Sequence, residues 1–368
     1  MQLKPFKLER YFAQYEFSAP YLLSPSDCEP LTIPELISFA SDERRQQWET
    51  LWLGYTESQG HPELLSLISD LYTQITPQQV MTAVPEEGIF IAMNTLVNAG
   101  EHMIVMHPGY QSLYEIAEGR GVEVSFWQPS SQWRFDPDAL ETLRQDNTCM
   151  LVVNTPHNPT GAHFTAEEWE TIIAFAQKHD LWLFADEMYR YSEYDDNDRL
   201  VVACDAYEKA ISLSGLSKSF ALPGLRVGWL ATQHQEAFKR FAMFKDYTTI
   251  CGSAPSEMLA IIALEAKSAI LERNLAIISD NLSVLDDFFQ THDKHFKWIR
   301  PKAGTITFVD YLGDESIQEL ADNLVESEGL MILPASVYDY QGNYFRLGFG
   351  RRNMPEALQL LGDYLTEK

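Results

Sequence analysis

Short apolar runs that alternate with helical patterns are the feature that most restricts the fold of this chain. One helix between two runs is well marked, because Thr165 and Glu168 form a capping box and Trp169, Ile172 and Ala176 follow at helical spacing. The apolar runs, interpreted as strands, cover residues 102–106, 122–127, 149–153, 181–185, 210–213 and 227–231. Strands that alternate with helices indicate βαβ units, so the sequence predicts an α/β protein with a mainly parallel sheet flanked by helices.

The pattern changes in the last third of the chain. One long helix with a single apolar stripe is predicted from Leu271, Leu275, Ile278, Leu282, Leu285 and Phe289. A coiled coil has the same spacing, but one isolated segment more often bridges two domains. Apolar runs at 305–309, 330–333 and 344–347, with a final helix capped by Asn353, predict a smaller α+β unit. We therefore predict a large domain at about 45–265 and a small domain formed by 1–44 together with 266–368.

The composition argues against several classes of partner. A formal net charge of −26 gives a surface that repels nucleic acid and anionic membranes. No apolar stretch approaches the roughly 20 residues that span a bilayer, and residues 1–15 lack a signal-peptide core. The four cysteines show neither CxxC pairs nor metal-ligand spacing. We expect a cytoplasmic protein with reduced thiols, no metal site, and neither nucleic acid nor a membrane as partner.

Three of the predicted strands end in polar clusters. The run 149–153 leads into Asn154 and the Asn-Pro-Thr-Gly turn at 158–161, and the run 181–185 leads into Asp-Glu-Met-Tyr at 186–189. The run 210–213 leads into a turn of small residues that contains Lys218, and Arg226 follows eight positions later. Because ligands of open parallel sheets bind at the carboxyl ends of strands, we expect the three clusters to form one site.

Each of these residues has an ordinary structural explanation when it is taken alone. Asn-Pro-Thr-Gly is usually only a turn, an aspartate after a strand is more often a helix cap, and a loop lysine is usually solvated. Arg226 alone would be a surface charge. Their order, spacing and shared edge favour a site, because a flexible amine beside a fixed anion clamp suits a carbonyl cofactor that carries a phosphate.

In this order the motifs resemble the class I and II aminotransferases of the fold type I pyridoxal-phosphate enzymes. The resemblance extends over residues 50–350 and includes Tyr55, Tyr110 in Pro-Gly-Tyr, and Arg346 in Phe-Arg-Leu-Gly. It implies a seven-stranded, mainly parallel sheet in a large domain, and a smaller α+β domain from both termini. It also implies pyridoxal 5′-phosphate as cofactor and transfer of the α-amino group of an amino acid to a 2-oxo acid.

The resemblance implies a role for each residue near the cofactor ring. Lys218 would bind the cofactor aldehyde as an aldimine and then shuttle a proton. Asp186 would pair with the pyridine nitrogen, and Tyr189 and Asn158 would hydrogen-bond the 3′-oxygen. Tyr110 would stack on the ring, although a core tyrosine after a strand explains it nearly as well.

The resemblance also implies how the phosphate is held. Arg226 would bind it together with a serine of the lysine turn, Ser217 or Ser214. The start of a helix at residue 85 would contribute the backbone amides of Glu86 and Glu87, since proline in the first turn and early glutamates are helix-start signals.

On the substrate side, the resemblance assigns Arg346 to the α-carboxylate in a bidentate pair, with Asn154 and Asn158 nearby. Tyr55 would reach into the site from a neighbouring subunit. A homodimer with shared active sites is therefore implied, with an amino acid and a 2-oxo acid as its small-molecule partners.

Three positions depart from the family pattern. Pro85 lacks an N–H where the family has an amide donor, and Gly215 replaces a common serine. Residues 23–30 replace an N-terminal glycine motif near the substrate, and with the chain's start they resemble capreomycidine synthase, a family member that performs elimination and ring closure. Elimination, replacement or cyclisation on the same scaffold is thus the alternative to transamination.

Two other classes of protein have less support. A nucleotide-binding module would carry GxGxxG or GxxxxGK[ST] after a strand, and neither motif occurs there. The intact lysine and its partners argue against a non-catalytic protein that kept the fold. Arg351 and Arg352 are interpreted as surface charges, and no second arginine is assigned to a distal carboxylate, so the substrate side chain stays open.

Overall fold

The computed structural model describes residues 2–367. Its helices are α1 (Lys7–Tyr15), α2 (Ile33–Ser38), α3 (Asp42–Glu49), α4 (Pro62–Ser69), α5 (Pro85–Leu96), α6 (Ser112–Glu118), α7 (Leu140–Leu143), α8 (Ala166–Lys178), α9 (Ala203–Ala206), α10 (Gln235–Lys245), α11 (Ala254–Glu265), α12 (Lys267–Thr291), α13 (Ile317–Glu328) and α14 (Met354–Glu367). Its strands are β1 (Tyr21–Leu22), β2 (Val80–Ala83), β3 (His102–Met106), β4 (Glu123–Trp127), β5 (Thr148–Asn154), β6 (Trp182–Asp186), β7 (Ala210–Gly215), β8 (Gly228–Ala231), β9 (Phe296–Lys297), β10 (Ile306–Tyr311), β11 (Leu330–Met331), β12 (Leu333–Pro334) and β13 (Tyr344–Gly348).

A seven-stranded sheet of order β2-β8-β7-β6-β5-β3-β4 forms the centre of the molecule. Strands β7, β6, β5, β3 and β4 are mutually parallel, and β8 runs antiparallel to both of its neighbours. The predicted α/β class with a mainly parallel sheet is confirmed, and all six predicted strands belong to it. The sequence analysis missed β2, whose four residues are all buried and are too few to show an alternating pattern.

Side chains of the sheet alternate between two apolar layers. Met103, Val105 and Met150 pack with α5, α6 and α10, whereas Ile104 and Leu151 pack with α8 on the other face. Both faces are therefore covered, which explains why the strands appear in the sequence as continuous apolar runs.

A second, four-stranded antiparallel sheet of order β12-β13-β10-β9 lies in the C-terminal part. The predicted run 330–333 divides between two strands, because β11 leaves this sheet and pairs in parallel with β1 near the N-terminus. The pairing of β1 with β11 thus connects the N-terminal and C-terminal parts of the described residues. The domain boundaries at 45 and 265 stay a prediction.

The predicted long helix is confirmed as α12, which begins at Lys267 and packs against α11 and α14. Its buried side includes Asn274 and Asn281 as well as most of the apolar stripe, of which Leu271 and Leu275 are only partly buried. The Asn281 amide donates to the carbonyl oxygens of Phe349 and Arg351, so the helix fixes the turn that follows β13. Among the described residues, no helix combines the length and apolar character that crossing a bilayer requires.

Candidate active site

A cavity of about 400 Å³ opens at the carboxyl ends of β5, β6 and β7. The strand register places Asn154 opposite Asp186 and Asp186 opposite Leu213, so the ends of the three strands lie side by side. The wall includes nine residues that the sequence analysis assigned to the site: Glu86, Tyr110, Asn158, Asp186, Tyr189, Ser217, Lys218, Arg226 and Arg346. The expected convergence of three polar clusters at one sheet edge is therefore found in the structure.

Lys218 projects into this cavity from the turn that follows β7. Its Nζ donates to the Ser26 hydroxyl at 2.8 Å and lies 6.0 Å from the centre of the Tyr189 ring. Burial lowers the pKa of the Lys218 ammonium, and Arg346 lowers it further, whereas the carboxylates of Asp27 and Asp186 act against that change. An amine with a lowered pKa loses its proton more readily and is a better nucleophile.

Asp186 is the last residue of β6, and its carboxyl group is buried in the cavity wall. Burial raises the pKa of this carboxyl to about 6, although a hydrogen bond from the Met188 amide (3.2 Å) and the charge of Lys218 oppose the rise. The Asp186 carbonyl oxygen accepts from the Thr155 amide (3.0 Å) and from Asn154 Nδ2 (2.9 Å). These bonds hold the ends of β5 and β6 together.

Asn154, which the resemblance placed near the substrate, is not part of the cavity wall. It is buried behind the wall, where its Oδ1 accepts from the backbone amide of Asn158 at 2.6 Å. In the structure its side chain therefore organises the turn that carries Asn158.

Arg346 reaches the cavity from β13 and is buried, with only 1 % of its surface exposed. Its Nη1 donates to the Tyr338 hydroxyl (2.7 Å) and to Asn158 Oδ1 (3.2 Å), and its Nη2 donates to the Ser24 carbonyl oxygen (2.7 Å). The Nε–H has no partner among the described residues. We call the edge that carries this Nε–H the free edge of the guanidinium; Nε and Nη2 along it match the spacing of a carboxylate.

Three buried polar atoms of the cavity lack a partner within the described part of the chain: the Ser217 hydroxyl, the Tyr189 hydroxyl and Arg346 Nε. Buried donors are normally paired, so this set fits a ligand with several acceptor oxygens. Arg226 lines the same cavity and adds a fixed positive charge. Pyridoxal 5′-phosphate, with its phosphate and ring oxygen, fits this donor set and this volume.

Only some of the residues that were predicted to hold the phosphate line the cavity. Helix α5 begins at Pro85, as the sequence predicts, and Pro85 and Glu86 line the cavity. Burial raises the pKa of the Glu86 carboxyl to about 7. The Glu87 side chain is outside the cavity wall and accepts from the hydroxyl groups of Thr248 and Thr249.

Ser217, and not the alternative Ser214, belongs to the cavity wall. Tyr55 does not line the cavity of its own chain and is 90 % exposed. Its predicted role in a neighbouring subunit's site stays a prediction.

The sequence analysis missed the contribution of α1 to the cavity. Glu9 and Phe12 of this helix, and Glu16 directly after it, line the same cavity as the strand ends. The Tyr110 hydroxyl donates to Glu9 Oε1 at 3.0 Å, and the Phe6 ring lies 4.9 Å from the Tyr110 ring. Residues 7–15 do have helical spacing, but nothing in that pattern indicates which surface they cover.

Ser26 and Tyr338 were also not assigned to the site, because each is one of many similar residues without a motif. The interpretation of Arg351 as a surface charge is wrong, whereas Arg352 is exposed as predicted. Both Nη2-to-carboxylate distances from Arg351 to Asp27 are short, 2.9 and 3.0 Å, and Arg351 lines the cavity. The turn after β13 folds back on residues 27–29, which sequence spacing does not show.

Comparisons with known proteins agree with this geometry. The family "Aminotransferase class I and II" matches residues 28–361. Kynurenine–oxoglutarate transaminase 1 of Mus musculus is 30 % identical over 197 residues, which are 48 % of this chain and 46 % of that protein. Capreomycidine synthase of Streptomyces vinaceus is 27 % identical over 270 residues, 72 % of this chain and 67 % of that protein. The chain thus spans about half the length of the mouse relative.

Among solved structures, a PLP-dependent aminotransferase from Streptococcus suis superposes with a TM-score of 0.93 at 28 % identity. The superposition covers 100 % of this chain and 99 % of that chain. With the fold, the cavity and the family match in agreement, the chain belongs to the class I and II aminotransferases.

Proposed function

We propose that this protein binds pyridoxal 5′-phosphate through Lys218 and transfers the α-amino group of an amino acid to a 2-oxo acid. The observation that carries the proposal is the single cavity that contains the Lys218 amine, the Asp186 carboxyl group and three buried donors without partners. Pyridoxal phosphate, when bound, supplies an aldehyde that accepts amines and a ring that withdraws electrons from the substrate.

The residues on the cofactor side have separate tasks. Lys218 moves a proton at Nζ, and its lowered pKa keeps a neutral amine accessible for that transfer. The Ser26 hydroxyl orients this amine by accepting a hydrogen bond from it. Asp186 would hold a proton at the ring nitrogen, and Tyr189 and Asn158 would donate towards the ring oxygen. Tyr110 would close the ring pocket.

Phosphate and substrate would be bound at opposite ends of the cavity. Arg226, Ser217 and the first turn of α5, with Glu86, would hold the phosphate. The free edge of Arg346 would bind the α-carboxylate in a bidentate pair. Asn158 and Tyr338 keep that edge in position, because they accept from the other side of the guanidinium.

We further propose a homodimer in which Tyr55 completes the partner's site, and a cytoplasmic location. The exposure of Tyr55, far beyond that of most tyrosines here, supports the first proposal. All four cysteines are free, as they are in a reducing compartment, which supports the second.

The direct test is chemical fixation of the cofactor. The protein is incubated with pyridoxal phosphate, reduced with borohydride, digested and analysed by mass spectrometry. We expect a cofactor-sized mass increment on the peptide that contains Lys218, and its loss in Lys218→Ala. Lys209→Ala, at a partly exposed position directly before β7, is the matched control and should keep the increment. A cofactor fixed elsewhere, or not fixed at all, contradicts the proposal.

Elimination, replacement or cyclisation is the second candidate, favoured by the 27 % identity to capreomycidine synthase over 270 residues. The two reactions differ in the fate of the amino group. With amino acid alone, transfer leaves the nitrogen on the cofactor and releases a 2-oxo acid, so the visible absorption band is lost. Elimination releases a group from the β-carbon, and the nitrogen leaves with the product or as ammonia, so the band returns. Stopped-flow spectra with product analysis separate these outcomes.

A further inference from the structure

The wall that α1 contributes to the cavity is acidic and poorly neutralised. Glu9 and Glu16 stand seven positions apart, with Phe12 between them, so all three lie near one face of the helix. Within residues 2–367, the Glu16 carboxylate forms no hydrogen bond or ion pair, and the Glu9 carboxylate accepts only from the Tyr110 hydroxyl. Two partly buried carboxylates thus line the cavity without a salt bridge, although the charges of Arg351 and Lys218 are felt by Glu16.

The cationic side chains of the cavity already have other partners. Arg351 is held by Asp27, with two oxygens of one carboxylate within 3.0 Å of one guanidinium nitrogen. Arg346 uses one side for Tyr338 and Asn158, and its free edge is the one assigned above to the α-carboxylate. On the proposed function, Lys218 and Arg226 serve the cofactor. No cation of the described wall is left for an acidic group at the far end of a substrate.

The acidic wall lies close to the edge that would hold the α-carboxylate. The guanidinium carbon of Arg346 is 5.7 Å from the centre of the Phe12 ring, and Phe12 lies between Glu9 and Glu16 along α1. Burial raises the pKa of the Glu16 carboxyl, repulsion from Asp27 and Glu9 raises it further, and the charges of Arg351 and Lys218 only partly oppose this rise. A positive group beside Glu16 would relieve both effects.

From this geometry we propose that the substrate is an α-amino acid whose side chain ends in a cationic group, ammonium or guanidinium, bound by Glu9 and Glu16. The inference rests on the proposed function, because it uses Arg346 as the carboxylate anchor. The geometry disfavours dicarboxylic substrates, whose second carboxylate would face two negative charges.

Arginine and citrulline are the probes, because the two amino acids share length and shape and differ in charge. The rate of the cofactor's absorption change is measured against the concentration of each. We expect kcat/KM for arginine to exceed that for citrulline by about tenfold or more, as one charge pair in a partly buried site provides. Glutamate should react more slowly than citrulline.

Single substitutions test whether Glu9 and Glu16 cause the preference for arginine over citrulline. Glu16→Gln and Glu9→Gln should each lower the arginine-to-citrulline ratio of kcat/KM several-fold. Glu170→Gln, an exposed change of the same kind on α8, should leave the ratio unchanged. Glutamine keeps the size of the side chain and can still accept from Tyr110, so folding is preserved.

The outcomes separate the two proposals. If citrulline reacts as well as arginine, or if the glutamine variants keep the wild-type ratio, the cationic preference is overturned and the aminotransferase assignment stands. If the cofactor is fixed on Lys218 but no amino acid changes its spectrum, both proposals fail. If borohydride fixes no cofactor on Lys218, the proposed function fails first, and the inference fails with it.

Discussion

Asp186 and Lys218 show how burial sets the chemistry of individual residues. Burial raises the pKa of the Asp186 carboxyl to about 6 and lowers that of the Lys218 ammonium, because in both groups it disfavours the charged form. The attraction between the two opposite charges works against both changes. Keeping charged groups away from water lowers the stability of the protein without its cofactor. The same groups can then act on a bound ligand.

The free-energy cost of burying the ionised Asp186 carboxylate should be measurable as a lower free energy of unfolding. The folded carboxyl has a pKa of about 6 against 3.8 as the ordinary value, so ionised Asp186 destabilises the fold at pH 8. This penalty disappears below pH 4, where the carboxyl is protonated in both states. In cofactor-free protein, Asp186→Asn should therefore raise the free energy of unfolding by about 1–3 kcal/mol at pH 8 and by little at pH 4, while transfer activity is lost.

Urea unfolding at the two pH values checks this expectation. Asp280→Asn, on an exposed position of α12, serves as the control and should show no difference between the two conditions. An Asp186→Asn protein that is less stable at pH 8 than the unmodified chain would show that the carboxylate is a structural residue and not one held at a cost for function.

At the scale of elements, the site depends on how closely residues 23–28 pack against β13. The Gly348 amide donates to the Leu23 carbonyl oxygen at 2.7 Å. The Arg346 side chain binds Ser24, and the Thr305 hydroxyl binds the carbonyl oxygen of Ser26. Ser26, which accepts from Lys218, is therefore positioned by a strand far away in the sequence.

Gly348 is the tightest point of this packing, because a Cβ atom there would come within 1.8 Å of the Pro25 carbonyl oxygen. Gly348→Ala should displace residues 23–28, lower the free energy of unfolding by about 1–3 kcal/mol and slow the reaction at Lys218. Chemical denaturation and cofactor fixation measure the two effects. Gly224→Ala, where a Cβ meets no atom within 4 Å, should leave stability unchanged. Equal stability of both variants would contradict this account.

At the scale of the whole molecule, large apolar side chains remain exposed on the single chain. Trp52 is 80 % exposed, Leu53 76 %, and Tyr55 and Tyr247 are 90 % exposed. Trp52, Leu53 and Tyr55 are near neighbours in the sequence. Exposed apolar clusters of this kind mark interaction surfaces, and the proposed homodimer would cover this one.

Mixed dimers test whether two chains share a site. If Tyr55 acts on the partner's Lys218, then Lys218→Ala and Tyr55→Ala are each poorly active alone, but a mixed dimer keeps one intact site. Co-expression should therefore restore about a quarter of the wild-type activity. Co-expression of Lys218→Ala with Lys218→Met should restore none. The shared site would be contradicted if the co-expressed variants were no more active than the sum of the two separate variants. A mass in solution equal to one chain of 42.1 kDa would contradict it as well.

Local sequence patterns predicted the architecture well, for a physical reason. The apolar runs of β3 and β5 and the capping box of α8 report interactions between residues a few positions apart, and such patterns are visible along the chain. The same holds for the polar residues at the strand ends, because parallel pairing brings the ends of β5, β6 and β7 to one edge. The order of those motifs was sufficient to identify the family.

The sequence alone therefore determined the α/β class, the lysine and acid of the site, and the family. Only the tertiary structure decided which residues from distant parts of the chain contact these site residues. Lys218 meets Ser26 across 192 positions, and Arg346 meets Ser24 across 322. Contacts over such separations leave no periodic trace, so the acidic face of α1 and the pairing of Arg351 with Asp27 became visible only once the chain was folded.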